Sequence, residues 1–259
     1  MSIDRLLSVM VRLRDPQTGC PWDREQTWVT IAPHTIEEAY ELADAVQHGD
    51  AAQVRDELGD VLFQVVFQSR IAEEQGLFDF TAVANAISDK LERRHPHVFG
   101  AAQIAGVLEQ SAAWEAHKAA ERRDRGQGDR VLDGVTPGLP ALTRAAKLGK
   151  RAARVGFDWP NPGGVLAKVE EEVVEMREAV ISGDTAHVRE ELGDLLFSVV
   201  QAARHLGVDP EAALREANAK FERRFRDMET QLEAQGRSVL DATPAALEAL
   251  WAQAKRNVG

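Results

Sequence analysis

Over most of the chain, apolar residues return every third or fourth position, the spacing that lines them up on one face of an α-helix. Val169, Val173, Met176 and Val180 form one such stripe. Leu192, Leu196, Val199, Ala203 and Leu206 form a second, and Leu214, Ala217, Phe221, Phe225 and Met228 a third. Gly183-Asp184 and Gly207-Val208-Asp209-Pro210 interrupt the periodicity between them, placing helix-ending glycines beside residues that cap or open the next helix. An amphipathic stretch precedes the first acidic helix in each half, Ile3 to Arg14 and Leu142 to Arg154. No alternating apolar-polar run of useful length is present, so the pattern predicts an all-α fold. About four helices with short connections predict a four-helix-bundle-like module in each half of the chain.

The halves are copies of one another. Glu37-Glu38-Ala39-Tyr40-Glu41 recurs 134 positions later as Glu171-Glu172-Val173-Val174-Glu175, and at the same shift Glu57-Leu58-Gly59-Asp60 meets Glu191-Leu192-Gly193-Asp194. More than half of the aligned positions from Glu37 to Arg70 are identical. Lys90-Leu91-Glu92-Arg93-Arg94 matches Lys220-Phe221-Glu222-Arg223-Arg224 after a four-residue deletion, and Trp114 with Lys118 matches Trp251 with Lys255. A self-similar period of this length marks a duplicated structural unit. We therefore expect an N-terminal module over 1–120, a C-terminal module over 140–259, and between them a polar linker, 121–139, rich in Arg, Asp and Gly.

Residues three and four apart on a helix project from neighbouring points of its surface. Advancing about 100° per residue from Val169 places Lys168, Glu172 and Glu175 along one edge of the first stripe, with Glu171 farther round. The same count from Leu192 puts Glu191 near the apolar edge and Asp194 about 60° away. Two helices packed through these stripes bring Glu172, Glu175, Glu191 and Asp194 to one cleft. In the first copy the matching set is Glu38, Glu41, Glu57 and Asp60. Carboxylates gathered at the edge of a core repel one another and require a counter-charge, which a hard divalent cation supplies. All-oxygen ligation favours Mg²⁺, Mn²⁺ or Ca²⁺ over zinc; the linear EF-hand pattern of a calcium sensor is absent, and Mg²⁺, with Mn²⁺ as a substitute, characteristically shares its shell with phosphates. A solvated acidic surface is the alternative reading of either motif alone.

Lys220, Arg223 and Arg224 share one side of the third helix, where they can neutralise di- or triphosphate oxygens. Trp251 is a candidate for stacking on a base, although a tryptophan in a terminal helix also packs. His95-Pro96-His97 reads as a turn, and Gly149-Lys150 lacks the remainder of a phosphate-binding loop.

Composition narrows the function further. An apolar share of 44% with 28% charged residues describes a soluble globular protein. The net charge of −11 opposes a long basic groove and so excludes polymeric nucleic acid as partner. The longest apolar runs, such as Val61 to Phe67, are too short to cross a bilayer, and the start Met1-Ser2-Ile3-Asp4-Arg5 lacks the order of a signal peptide. With one cysteine, Cys20, the chain has neither an internal disulfide nor a CxxC zinc pattern. A cytoplasmic protein is expected.

Glu-Glu-x-x-Glu followed, after fifteen intervening residues, by Glu-x-x-Asp resembles the MazG family of nucleoside triphosphate pyrophosphohydrolases. The resemblance covers nearly the whole chain, including Cys20-Pro21-Trp22-Asp23, Lys90 to Phe99, Val155-Gly156-Phe157-Asp158-Trp159 and Lys220 to Phe225. It implies tandem all-α pyrophosphatase folds, a homodimer, and Mg²⁺-dependent conversion of a nucleoside triphosphate to monophosphate and pyrophosphate, serving nucleotide-pool cleansing or alarmone control. Carried over by position, Glu172, Glu175, Glu191 and Asp194 would ligate metal. Lys168, Glu171, Glu172, Arg189, Lys220, Arg223, Arg224 and Trp251 would contact the nucleotide, and Glu171 or Glu175 would accept a proton from the attacking water. The first copy has His34 where the second has Lys168, a departure that ranks the C-terminal site first. A metal-bound scaffold without catalysis, or an enzyme restricted like a dUTPase to one deoxynucleotide, are the competing expectations.

Overall fold

The computed structural model of the chain describes residues 2–101, 106 and 130–258, and the regular structure among them is helical, with no strand. The chain divides into two compact units, Met1–His117 and Lys118–Gly259. Trp114, Lys118 and the 121–129 part of the expected linker lie outside the described residues.

The first unit runs α1 (Ser2–Leu13), α2 (Pro21–Glu25), α3 (Trp28–His48), α4 (Ala51–Glu74), α5 (Phe80–Arg94) and α6 (Pro96–Phe99). Its long helices start where side chains accept the free backbone N–H groups of a first turn. Thr27 and Thr30 form a reciprocal capping box on α3, Asp50 accepts from the Ala52 N–H, and Asp79 accepts from the Ala82 N–H. Gly49 closes α3 at φ 76°, a left-handed conformation that glycine adopts without Cβ strain. The single Gly49-Asp50 turn folds α3 back on α4, and α1 and α5 pack against α4. Met10, Ile31, Val66, Phe67 and Ile71 form the core, ringed by Ile3, Leu6, Leu7, Phe63 and Phe80. At one end of it Arg14 is buried, pairing through Nη2 with Glu74 Oε2 at 2.7 Å, with its guanidinium carbon 5.3 Å from the Phe67 ring centre. The same guanidinium donates to the carbonyls of Asp23 and Gln26, which ties the Cys20-to-Asp23 segment to the bundle.

The second unit runs α7 (Ala141–Ala153), α8 (Pro162–Ser182), α9 (Thr185–His205), α10 (Pro210–Glu233), a 3₁₀ turn (Val239–Asp241) and α11 (Pro244–Asn257). Asn161, Asp184, Asp209 and Thr243 cap the four later helices. Gly183, at φ 71°, makes the turn that folds α8 against α9. α7 packs on α9 and α10, and α11 on α10. At the position that Phe67 holds in the first unit, this one buries Gln201, whose amide donates to the Ala145 carbonyl at 3.0 Å and accepts from Arg204 Nε at 2.9 Å. Arg204 and His205 both bond Asp158, pinning the Gly156-to-Trp159 segment to α9.

One expectation from the periodicity is corrected. The stripe through Leu192, Leu196 and Val199 does not face the core of its unit: these side chains are 41%, 50% and 46% exposed. α9 instead buries Ser198, Val200, Gln201 and Ala202. A helix apolar over most of its circumference offers two possible core faces, and small side chains permit the closer approach of a neighbour. The His95-Pro96-His97 break falls where expected: His95 ends α5 and Pro96 opens a single helical turn.

Candidate metal and nucleotide site

In the second unit, α8 carries Lys168, Glu171, Glu172 and Glu175 on successive turns, and α9 carries Glu191 and Asp194. The Gly183 turn sets these helices side by side, so that Glu172, Glu175 and Glu191 each present a carboxylate oxygen within 4.8 Å of the other two. Glu172 is only 4% exposed. A buried carboxylate is costly without a positive partner, and Lys168 supplies one. Its Nζ lies 2.8 Å from Glu171 Oε1, 2.9 Å from Glu172 Oε1 and 3.8 Å from Glu175 Oε2. Bonds to Glu171 and then Glu172 hold the ammonium well above the usual lysine range. Burial pushes the Glu175 carboxyl up; Lys168 opposes that shift, while Glu172, Glu171 and Glu191 reinforce it.

Asp194 is exposed and stands outside the mutually close trio. His187, which the sequence reading passed over, places Nε2 3.1 Å from Glu191 Oε1. The spacing of four between His187 and Glu191 on one helix was the available signal.

The first unit builds the same trio from Glu38 and Glu41 on α3 and Glu57 on α4, again with carboxylate oxygens within 4.8 Å of one another. Asp60 is not in the trio, but its charge acts on Glu38 and Glu57. Burial raises the Glu38 pKa first, followed by Asp60, Glu41 and Glu57. Glu57 is raised by burial and then by Glu41, Asp60 and Asp56. Its Oε2 is buried with no hydrogen-bond partner. His34, in the place of Lys168, turns instead to Glu37, with 3.4 Å between Nδ1 and Oε2. An orphaned carboxylate oxygen beside two further carboxylates is a donor set that fits a hard divalent cation.

Apart from Lys168 on α8 and Arg189 on α9, the basic and aromatic candidates lie on α10 and α11. Phe221 stacks on Phe225 at 6.1 Å and meets Trp251 at 5.2 Å between ring centres. Arg224 and Lys255 both lie 5.9 Å from the centre of the Trp251 ring, close enough for cation–π attraction. Arg224 Nε is buried without a partner. Lys220, Arg223 and Arg189 are exposed. Among the described residues, no hydrogen bond or ion pair joins these four cations to Glu172, Glu175, Glu191 or Asp194. The structure thus brings together three acids and Lys168, and separately a platform of Phe221, Arg224 and Trp251.

Paired helical hairpins, each crossed by a trio of carboxylates, define an all-α class of protein equipped for hard cations. Comparison with known proteins narrows the class. The MazG nucleotide pyrophosphohydrolase domain model matches the chain twice, over residues 26–99 and 161–228. A nucleoside triphosphate pyrophosphohydrolase of Escherichia coli strain K12 is 51% identical over 258 residues, covering 98% of this chain and 97% of its own. A Thermotoga maritima protein named nucleoside triphosphate pyrophosphohydrolase/pyrophosphatase MazG is 42% identical over 252 residues, covering 97% and 95% respectively. The chain belongs to the MazG nucleotide pyrophosphohydrolase family, and both copies of the repeat are copies of its domain.

Proposed function

We propose that the chain hydrolyses nucleoside triphosphates to nucleoside monophosphate and pyrophosphate with Mg²⁺, working chiefly at the C-terminal site. The observation that carries this is the convergence of Glu172, Glu175 and Glu191 across the α8–α9 hairpin. Glu172, Glu175 and Glu191, with Asp194 one turn farther along α9, would hold the cation, and Mn²⁺ would substitute. When bound, Mg²⁺ supplies positive charge against phosphate oxygens and eases deprotonation of an attacking water.

The chain's own residues account for the rest. Water attacks the α-phosphorus in line, the α–β anhydride bond breaks, and pyrophosphate leaves with the bonding electrons. Glu171 or Glu175 accepts the proton of the water; the raised Glu175 pKa suits a proton acceptor better than that of an ordinary exposed carboxylate. Lys168, Arg189, Lys220, Arg223 and Arg224 neutralise charge that accumulates on the departing phosphates. Trp251, already flanked by Phe221 and Arg224, contacts the nucleotide.

The enzyme acts as a homodimer in this reading. Val174, Val180 and Ile181 on α8 and Leu192, Leu196 and Val199 on α9 are apolar and exposed, and a hairpin with this much uncovered apolar surface suits association. A second protomer laid on it supplies the cover. The relatives are named nucleoside triphosphate pyrophosphohydrolases, and to that activity this reading adds a cytoplasmic role in cleansing nucleotide pools or limiting alarmones. No helix among the described residues is long and apolar enough to cross a membrane.

The test is to incubate the protein with each nucleoside triphosphate, with and without Mg²⁺, and to assay pyrophosphate against orthophosphate. Pyrophosphate equal to the monophosphate formed is the expected result. Orthophosphate alone, or no turnover with Mg²⁺ bound, would replace this reading with γ-phosphate cleavage or a metal-held scaffold.

A further inference from the structure

The two carboxylate trios differ in one respect that the repeat itself does not explain. In the second unit Lys168 reaches into the trio, with Nζ 2.9 Å from Glu172 and 3.8 Å from Glu175, two of its three members. His187 takes up the third member, Glu191, at 3.1 Å. In the first unit the residue in the place of Lys168, His34, bonds Glu37 outside the trio, and the residue in the place of His187 is the exposed Gln53. Glu57 there keeps a buried oxygen with no partner. Among the described residues, one site therefore carries its own counter-cation and the other shows none.

We propose that Lys168 is a tethered counter-cation of the C-terminal site, exchanged between two sets of anions. Before loading, its ammonium occupies the charge position among Glu171, Glu172 and Glu175. A divalent ion entering between Glu172, Glu175 and Glu191 has to take over two of those contacts, and the lysine is released toward the phosphates of the nucleotide. This rests on the proposed metal and nucleotide reading of the same site.

Two effects of opposite sign follow. Without nucleotide, Lys168 repels the incoming cation and competes for its ligands, so it weakens metal binding. With nucleotide, the phosphates draw the lysine away, so each ligand strengthens the binding of the other. Such coupling is reciprocal by thermodynamic necessity. The C-terminal site in this way stays guarded against idle metal and takes up ion and triphosphate together. A lysine serving only to stiffen α8 would instead lower both affinities when removed.

The experiment is Mn²⁺ titration of the full chain, followed by the electron paramagnetic resonance signal of free Mn²⁺. A Glu38→Gln/Glu57→Gln background confines binding to the C-terminal site. In that background Lys168→Met is expected to bind Mn²⁺ about tenfold more tightly without nucleotide, the size of effect that one neighbouring charge produces. It is expected to bind a non-hydrolysable α,β-methylene triphosphate more weakly, with loss of most of the metal–nucleotide coupling. Lys168→Arg, which keeps the charge, is expected to stay near the parent, and Lys168→Gln repeats the test if the Met variant loses its fold by circular dichroism. Unchanged or weaker Mn²⁺ binding by the neutral variants would overturn the proposal while leaving the metal site standing. Absence of Mn²⁺ binding by the parent would overturn the site reading and this inference with it.

Discussion

The buried amide of Gln201 on α9 occupies the space into which a β-carbon on Gly149 of α7 would project. The two residues are thus fitted to each other across the helix contact. Alanine ordinarily favours a helix over glycine by roughly 1 kcal/mol, yet Gly149→Ala is expected to destabilise the protein by about 1–3 kcal/mol through overpacking. It must displace an amide bonded to Ala145 and Arg204. Thermal melts of Gly149→Ala and of Gly149→Ala/Gln201→Ala test this; a double variant no more stable than the single one would show that the collision is not the cause.

Glu172→Gln is expected to abolish pyrophosphate release, by about a hundredfold or more, the scale on which loss of one charge-positioning group acts. Its circular dichroism spectrum should match that of the parent. Glu38→Gln removes a carboxylate from the trio that lacks a lysine and is expected to matter less. Equal loss of turnover from both substitutions would show that the first site contributes as much as the second.

Asp158 links the Gly156-to-Trp159 segment to α9. Hydrogen bonds from Arg204 and then His205 outweigh its partial burial and hold its carboxyl far below the usual carboxylate range. Because the folded-state pKa is depressed, the stability it contributes is complete above an ordinary aspartate pKa of about 3.9 and declines as pH falls toward the lower folded value. Asp158→Asn should therefore lower the melting temperature at pH 7 by the equivalent of about 1–2 kcal/mol. The gap between variant and parent should narrow at pH 3, and a gap that persists undiminished there would assign the effect to packing.

In the first unit, Glu74 answers the buried Arg14, and hydrogen bonds from Arg14 and Arg70 keep its carboxyl low despite burial. Glu74→Gln leaves a buried guanidinium without its anion and is expected to cost roughly 3 kcal/mol, whereas Arg14→Met with Glu74→Gln, which removes both charges, should recover part of the loss. Urea denaturation of the three proteins checks the order.

Trp251→Ala is expected to raise the KM for nucleoside triphosphate several-fold with a smaller change in kcat, because in the proposed site the ring would hold the nucleotide rather than react with it. Quenching of indole fluorescence by a non-hydrolysable triphosphate, lost in the variant, is the direct measurement. An unaltered KM would return Trp251 to a packing role against Phe221.

Much of the molecule was written in local spacing. The 134-residue repeat, the all-α class, the glycine turns at Gly49 and Gly183 and the candidate acids Glu172, Glu175 and Glu191 all follow from which residue types recur at helical intervals. Those features depend on backbone geometry that is the same in every helix, so a one-dimensional count reaches them. Which face of α9 turns inward was decided by tertiary packing: small residues let a neighbouring helix approach Ser198 and Ala202, and the larger Leu192–Leu196 stripe was left outside. The bonds that Lys168 makes to acids which helical spacing only set on its edge, His187 turning to Glu191, and the fit of Gln201 against Gly149 were likewise settled only in three dimensions. Charge satisfaction and shape depend on what arrives from distant parts of the chain, and no periodicity within one helix records it.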